Sequence, residues 1–297
     1  MRILLLGSSQ TKHIRDLFSK DGHKIVESEC KNGGFLGKIE FFSKLLVTDM
    51  VYHVGGIDIS RSLFFRIARI LGKKIVVHWI GTDVLNFTKL YEKEKKVINE
   101  QAINLAGSDL LKKELQEIGI KSFVVPIVST EFCFEPLDAP QKHAVISYIP
   151  EAREDFYGMD LLKMVATAFP SVDFYIVANS GKNDKQPLNN IHYEGFLNPN
   201  EMQALYKKSS VLFRFPQHDG LSMMVLEALG LGKTVIYRYE FPFVLTPKTN
   251  SVEDVIKVFE KVLSVSPKTN KEGSDFVNTN FSIEKQMSRY REAGVLK

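Results

Sequence analysis

Two carboxylates, Asp219 and Glu227, bracket the run HDGLSMMVLEALG, and the residues between them are apolar or small. An acid just before a helix and a second acid in its second turn can accept hydrogen bonds from neutral hydroxyl groups, while the unpaired N–H groups of the first turn attract an anion. Hydroxyls beside a phosphate describe a nucleotide sugar. The run also has a plainer explanation, in which Asp219 terminates a turn and Glu227 lies on a solvated helix face. Spacing alone does not choose between the two.

The elements that must position this pair are legible around it. Val211–Phe215 is an unalternating apolar strand, 216–221 a loop, and Ser222 the expected N-cap of a helix that runs to about Leu231 and stops at Gly232. The loop then lies at the carboxyl end of a parallel strand, where open α/β sheets bind ligands.

The same alternation of short apolar runs and helical patterns fills the chain. It begins with strand Arg2–Leu6, a Gly7-Ser8-Ser9 loop that should floor a cleft, and a helix near Thr11–Asp21. Further strands are expected at Lys24–Glu27, Met50–His53, Lys74–His78, Ala102–Leu105 and Ser122–Val125, most of them buried on both faces. EFCFEPLDAPQK reads as a linker. A second series follows at Ala144–Tyr148, Asp173–Ala178, His192–Glu194, Val211–Phe215 and Thr234–Tyr237. Two doubly wound parallel sheets in tandem fit this order, because β-α alternation requires crossover connections. The expected boundaries are 1–128 for the first domain, 129–143 for the linker, 144–280 for the second domain, and 281–297 for a closing helix that packs back on the first.

The 297 residues, 44% of them hydrophobic, suffice for two cores. Cys30 and Cys133 form neither a metal spacing nor a disulfide framework, which suits a reducing, cytoplasmic setting. No apolar run approaches the roughly 18 residues of a membrane span, and the opening MRILLLGSSQ lacks signal-peptide features. The +4 charge is uneven: residues 1–128 carry 20 Lys/Arg against 14 Asp/Glu, whereas 129–297 carry 19 against 21. A basic amino-terminal half suits an anionic partner or simply a soluble surface. No nucleic-acid partner is expected.

The run FRFPQHDGLSMMVLEALGLGKTVI resembles the donor-binding motif of family 4 glycosyltransferases, the "glycosyl transferases group 1" domain, in which two glutamates are separated by seven residues. Asp219 matches the first and Glu227 the second. The similarity extends over AINLAGSDLLKKELQEIGIKSFVVPIVSTEFCFEP, NIHYEGFLNPNEMQALYKKSSVLFRFP, SLFFRIARILGKKIVVHWIGTDVL and FSIEKQMSRYREAG. The resemblance implies a GT-B fold: two Rossmann-like domains facing across a cleft, the second holding a UDP- or GDP-linked sugar and the first a saccharide or lipid-linked acceptor. On that carry-over Glu227 binds the ribose and Asp219 the transferred sugar. Gly220, Leu221 and Ser222 offer N–H groups to the sugar and diphosphate, and Gly195, Phe196 and Leu197 lie along the base. The family retains anomeric configuration, generally by a front-face route, so no two-carboxylate glycosidase mechanism is implied. It needs no organic cofactor, and no Asp-x-Asp box or His/Cys cluster suggests a metal.

Departures accompany the matches. The family places an Arg after the first strand of the second domain and a Lys before a following glycine; in SYIPEAREDFYGMDLL, Pro150 stands near the Arg position and Tyr157 replaces the Lys. Arg153 or Arg214 is the expected substitute cation on the diphosphate. In HWIGTDVL the family's His position is Ile80, and His78 lies on the same side of the strand. His78 is thus a catalytic candidate or, more ordinarily, a structural residue; Asp83 is an acceptor ligand or a loop cap; His218 is read as a loop residue.

GFLGKIEFFSKLL places Phe35, Ile39, Phe42 and Leu46 on one helical face with Lys38 and Lys44 nearby, and RSLFFRIARILGKK holds five cations and no acid. Either segment suits the inner face of an anionic membrane, or a helix covering its own sheet with a basic rim. The leading expectation is a retaining, metal-independent glycosyltransferase in surface polysaccharide or glycolipid assembly. The alternatives are a catalytically silent GT-B binding or partner protein and, further off, a sugar-nucleotide epimerase.

Overall fold

The computed structural model describes residues 1–27, 35–87, 92–129 and 134–297. Cys30 and Cys133 fall outside them, and of the helix at Phe35–Leu46 the side chains from Phe41 onward are described. The chain divides into two compact units: Met1–Phe132, Asp219–Leu221 and Phe281–Lys297 form one, Cys133–His218 and Ser222–Asn280 the other.

In the first unit, β1 (Arg2–Gly7), α1 (Thr11–Lys20), β2 (Lys24–Glu27), α2 (Phe35–Leu46), β3 (Met50–Val54), α3 (Leu63–Ile70), β4 (Lys74–Trp79), α4 (Glu92–Gln101), β5 (Ile103–Ala106), α5 (Asp109–Glu117) and β6 (Phe123–Val124) alternate. The six strands are parallel in the order β2-β1-β3-β4-β5-β6. Apolar runs such as IVV in β4 are buried on both faces because helices cover both. One face packs Ile3, Tyr52 and Val76 against Ile14 and Phe18 of α1; the other packs Val51, Val77 and Trp79 against Phe65 of α3 and Leu111 of α5.

The second unit contains β7 (Ala144–Tyr148), α6 (Glu154–Tyr157), α7 (Met159–Ala168), β8 (Asp173–Val177), β9 (Ile191–Gly195), α8 (Pro199–Lys208), β10 (Val211–Arg214), α9 (Met223–Gly230), β11 (Thr234–Tyr237), α10 (Val252–Leu263) and α11 (Lys271–Asn280). Its five strands are parallel in the order β11-β10-β7-β8-β9. After β9 the chain returns to the other side of β7. This reversal opens a switch point between β7 and β10, as β1 and β3 do in the first sheet. Helix α8 starts on a capping box in which Asn198 accepts from Glu201 N and Glu201 accepts from Asn198 N, with Pro199 at its first position.

Beyond α11, helix α12 (Ile283–Glu292) belongs to the first unit. Its Tyr290 ring meets Phe18 edge-on at 5.0 Å, Arg291 pairs with Asp21 at 3.0 Å, and Lys74 donates to the Gly294 carbonyl at 2.9 Å. Strands β2, β7 and β11 coincide with their expected bounds, whereas β9 is longer, Ile191–Gly195 in place of His192–Glu194. Its pairing with β8 shifts register near Ile176 and Val177, which lets Gly195 join the ladder. No helix among the described residues is long and apolar enough to cross a membrane.

Candidate functional site

At the switch point of the second sheet, β7 ends in Tyr148 and β10 in Arg214. Beyond β7 the chain passes Pro150 into a short 3-10 turn at Glu151–Arg153 and then into α6. Gly158 closes α6 at φ 79°, and a Cβ there would stand 2.8 Å from the Phe215 carbonyl oxygen. Only glycine therefore allows this turn to approach the end of β10. Gln217 N donates to the Phe156 carbonyl at 2.8 Å, and Arg238 donates to the Pro216 carbonyl at 3.2 Å, so both sides of the loop after β10 are anchored.

This packing gathers the two candidate cations around Tyr157. The Arg153 guanidinium lies 5.5 Å and that of Arg214 5.4 Å from the Tyr157 ring centroid, and Arg153 also rests 4.1 Å from the Phe156 ring. Tyr148 meets the same ring edge-on at 5.6 Å. Burial and Tyr157 push the Tyr148 phenol up, while Arg214 and Arg153 pull it back. Tyr157 is thus a platform for two arginines, held by cation–π attraction.

Helix α9 begins where expected. Ser222 is its N-cap, with Oγ accepting from Met224 N at 3.2 Å. Of the first-turn N–H groups expected to be unpaired, that of Met224 is taken up by this bond; those of Ser222 and Met223 make no hydrogen bond among the described residues. Leu221 sits at φ 123°, a region that costs a side-chain-bearing residue about 1–3 kcal/mol. Asp219, Gly220 and Leu221 fall with the first unit, and a Cβ on Gly220 would lie 2.2 Å from the Ile80 carbonyl oxygen of that same unit.

Glu227 is half-buried among the apolar residues of α9. Burial pushes its carboxyl up to about 7, against the opposing hydrogen bond from the buried Tyr206 hydroxyl of α8 at 3.5 Å. Tyr206 is itself pushed up, first by burial and then by Glu227, with Arg214 close enough to pull it down. Tyr206 and Tyr148 carry no sequence signal of this kind, because only the fold brings α8 and β7 to Glu227 and Arg214. Gly195, at φ 63°, leads from β9 to Phe196, which is 87% exposed, and to half-buried Leu197. Among the described residues no group of three or more His, Cys, Asp or Glu side chains could hold a metal ion.

The first sheet treats its candidates differently. His78 is fully buried: Nδ1 meets the Tyr52 hydroxyl at 2.6 Å and Nε2 the Val125 carbonyl at 2.7 Å, so Nε2 carries the proton and Nδ1 accepts. Burial drives its pKa down to about 4. Both ring nitrogens of His78 are thus engaged inside the core, the geometry of the more ordinary of its two expected roles. The Asp83 carboxylate accepts from the backbone N–H groups of Gly56, Ile80 (3.0 Å) and Gly81 (2.6 Å); of its two expected roles it fills the loop cap. A Cβ on Gly7 would lie 1.9 Å from the Val54 carbonyl oxygen, and Ser8 N donates to that oxygen at 3.0 Å, so the floor of the first loop is a close backbone crossing. The strand-end histidine that stays half-buried is His53, whose Nδ1 contacts the Gly55 carbonyl at 2.8 Å.

No sequence-family profile and no curated protein matches this chain. Solved structures do. Sucrose-phosphate synthase from Thermosynechococcus elongatus superposes over 98% of this chain and 99% of its own with a TM-score of 0.71 at 11% identity. The lipopolysaccharide outer core galactosyltransferase WaaB, in its apo form, covers 99% of both chains at TM-score 0.64 and 16% identity. A trehalose-6-phosphate protein from E. coli, bound with UDP-2-fluoro glucose, covers both chains fully at TM-score 0.69 and 10% identity. At these identities the likeness is one of fold. Two parallel-sheet α/β domains of six and five strands give the chain the GT-B architecture of glycosyltransferases, as the resemblance implied.

Proposed function

We propose that this protein is a retaining, metal-independent glycosyltransferase of the family 4 kind, moving a sugar from UDP- or GDP-linked donor to a saccharide or lipid-linked acceptor in surface polysaccharide or glycolipid assembly on the cytoplasmic side. The observation that carries the reading is the gathering of Arg153 and Arg214 on one ring at the second sheet's switch point, beside α9, whose second turn holds Glu227. Breaking a glycosyl-phosphate bond leaves negative charge on the diphosphate. The N–H groups of Ser222 and Met223 supply about half a unit of compensating charge, and a guanidinium supplies the remainder.

In this reading Glu227, deprotonated, accepts the ribose hydroxyls, and Asp219 accepts from the transferred sugar. Gly220 and Leu221 present backbone N–H groups, and exposed Phe196 with Gly195 and Leu197 borders the base. The departing phosphate takes the acceptor's proton, so no side-chain nucleophile is needed. Gly7, Ser8 and Asp83 shape the acceptor side through the backbone they fix. A thermal-shift panel of UDP- and GDP-sugars tests the donor assignment, since a ligand of the folded state raises apparent stability. Stabilisation by none of them sinks it. Turnover that persists in excess chelator is expected, and complete, Mg²⁺-reversible loss contradicts the metal-independent route. Tyr157 in the lysine position favours a second reading, a silent sugar-nucleotide binder, which predicts stabilisation without transfer to any acceptor.

A further inference from the structure

Two guanidiniums and two further aromatic rings converge on Tyr157, and the fold fixes its ring from several sides. Tyr148 meets the ring edge-on at 5.6 Å and Phe156 at 5.2 Å, while the ring itself packs on the core of the second sheet. The backbone on either side is pinned as well. Gln217 N donates to the Phe156 carbonyl at 2.8 Å, and Gly158, at φ 79°, turns the chain against the Phe215 carbonyl. The Tyr157 hydroxyl makes no hydrogen bond among the described residues, so the ring is the part of this side chain that the fold uses.

Arg153 and Arg214 reach that ring from different elements, the turn after β7 and the end of β10. Arg153 is exposed and makes no ion pair among the described residues; the rings of Phe156 and Tyr157 are what its guanidinium rests on. An exposed arginine on its own samples many rotamers, and two like charges brought to one place repel each other. A locked π face opposes both tendencies, because it attracts each guanidinium and gives both a fixed seat. Two cations held together in this way are relieved most by an anion of concentrated charge, and a diphosphate carries more of it than a single phosphate.

We propose that Tyr157 is a positioning residue of the donor site: its ring holds Arg153 and Arg214 together as a paired cation, which makes the site prefer a nucleoside diphosphate to the monophosphate of the same nucleoside. The inference rests on the donor reading given above, and its test separates the two.

Titration calorimetry of the full chain with UDP, GDP, UMP and GMP is that test. The parent binds UDP or GDP at least about tenfold more tightly than the matching monophosphate. Tyr157→Leu lowers the diphosphate affinity about tenfold and leaves the monophosphate affinity within about twofold, so the preference narrows. Tyr157→Phe keeps the ring and restores the parent's values. In the Arg153→Ala/Arg214→Ala background Tyr157→Leu has no further effect, since the ring then has no cation to hold. Tyr157 is half-buried, so melting temperatures accompany each variant, and the monophosphate affinity reports whether the nucleotide site itself is intact. Equal losses for diphosphate and monophosphate, losses that add to those of the arginine double variant, or failure of Tyr157→Phe to rescue make the residue a structural one and overturn the proposal. A parent that binds UDP or GDP no better than the monophosphates overturns it alone. Binding of neither UDP nor GDP sinks the donor reading and the positioning role with it.

Discussion

The strand ends of the two sheets are built from similar residue types and use them in opposite ways. In the first sheet the polar groups are consumed internally: His78 spends both ring nitrogens on Tyr52 and Val125, and Asp83 gathers three backbone N–H groups. In the second, Arg153 and Arg214 rest on an aromatic ring, and Glu227 keeps one long hydrogen bond and a raised pKa. Groups satisfied inside the fold hold it together. Glu227, held at a cost in solvation, is a group that a ligand can satisfy, and its raised pKa points the same way.

The contrast is broken most forcefully at Glu227. On the proposed donor site Glu227→Ala removes the acceptor for two ribose hydroxyls, and each charged hydrogen bond contributes about 1.5–3 kcal/mol, so the expected fall in donor affinity by titration calorimetry is about a hundredfold or more. Because Tyr206 donates to this carboxylate, Glu227→Gln is the companion that keeps an acceptor in place. Equal affinity in both variants and the parent sinks the ribose assignment.

Next come the arginines. Arg153→Ala and Arg214→Ala are each measured for turnover, and the one that contacts diphosphate loses about ten- to a hundredfold. Since Arg214 is buried, its variant also needs a melting curve, whereas exposed Arg153 leaves stability unchanged. If the double variant keeps full donor affinity and rate, the account of the diphosphate fails. In the first sheet, Asp83→Ala orphans three N–H groups and lowers stability by about 1–3 kcal/mol without altering nucleotide-sugar affinity. A donor-affinity loss with intact stability erases the contrast between the two sheet ends.

The smallest effect is on pH. Folding raises the Glu227 carboxyl from 4.5 to about 7, so the unfolded chain ionises first. The group is neutral in both states below 4.5, its cost grows as pH rises, and above 7 the full penalty of about 3 kcal/mol is in place. Glu227→Gln is therefore more stable than the parent at pH 8, and the difference shrinks towards pH 4. Donor affinity of the parent rises by up to about tenfold between pH 6 and 8, as the ionised acceptor becomes populated. A flat profile shows that ionisation of Glu227 is not needed for binding.

Much of this was legible in sequence because the signals were local. Ser222 as N-cap, Gly232 as helix stop and the bounds of β2, β7 and β11 follow from turn chemistry and apolar runs. For His78 the sequence left two roles open for a physical reason. Alternation correctly places it on the same side of the strand as Ile80, but β4 is a central parallel strand with helices on both faces, so neither side meets solvent. In sequence Tyr157 stands out only against the family the chain resembles; that it seats two arginines depends on Gly158 and the return of β10 beside β7.

Residues Phe281–Lys297 complete the first unit, and Met287, Tyr290, Val295 and Leu296 are part of the same core as Ile3, Phe18 and Tyr52. During synthesis that core waits. The first sheet leaves the ribosome with the side that carries Tyr52 covered by α1 but lacking Met287, Tyr290, Val295 and Leu296, and the second unit, whose residues up to Asn280 are continuous apart from Asp219–Leu221, is made in the interval. At about 5–20 residues per second the delay between Val125 and Leu296 is on the order of ten to thirty seconds. The closing helix is thus the last piece of the first core to be made, and a chain that stops before Tyr290 lacks the ring that meets Phe18.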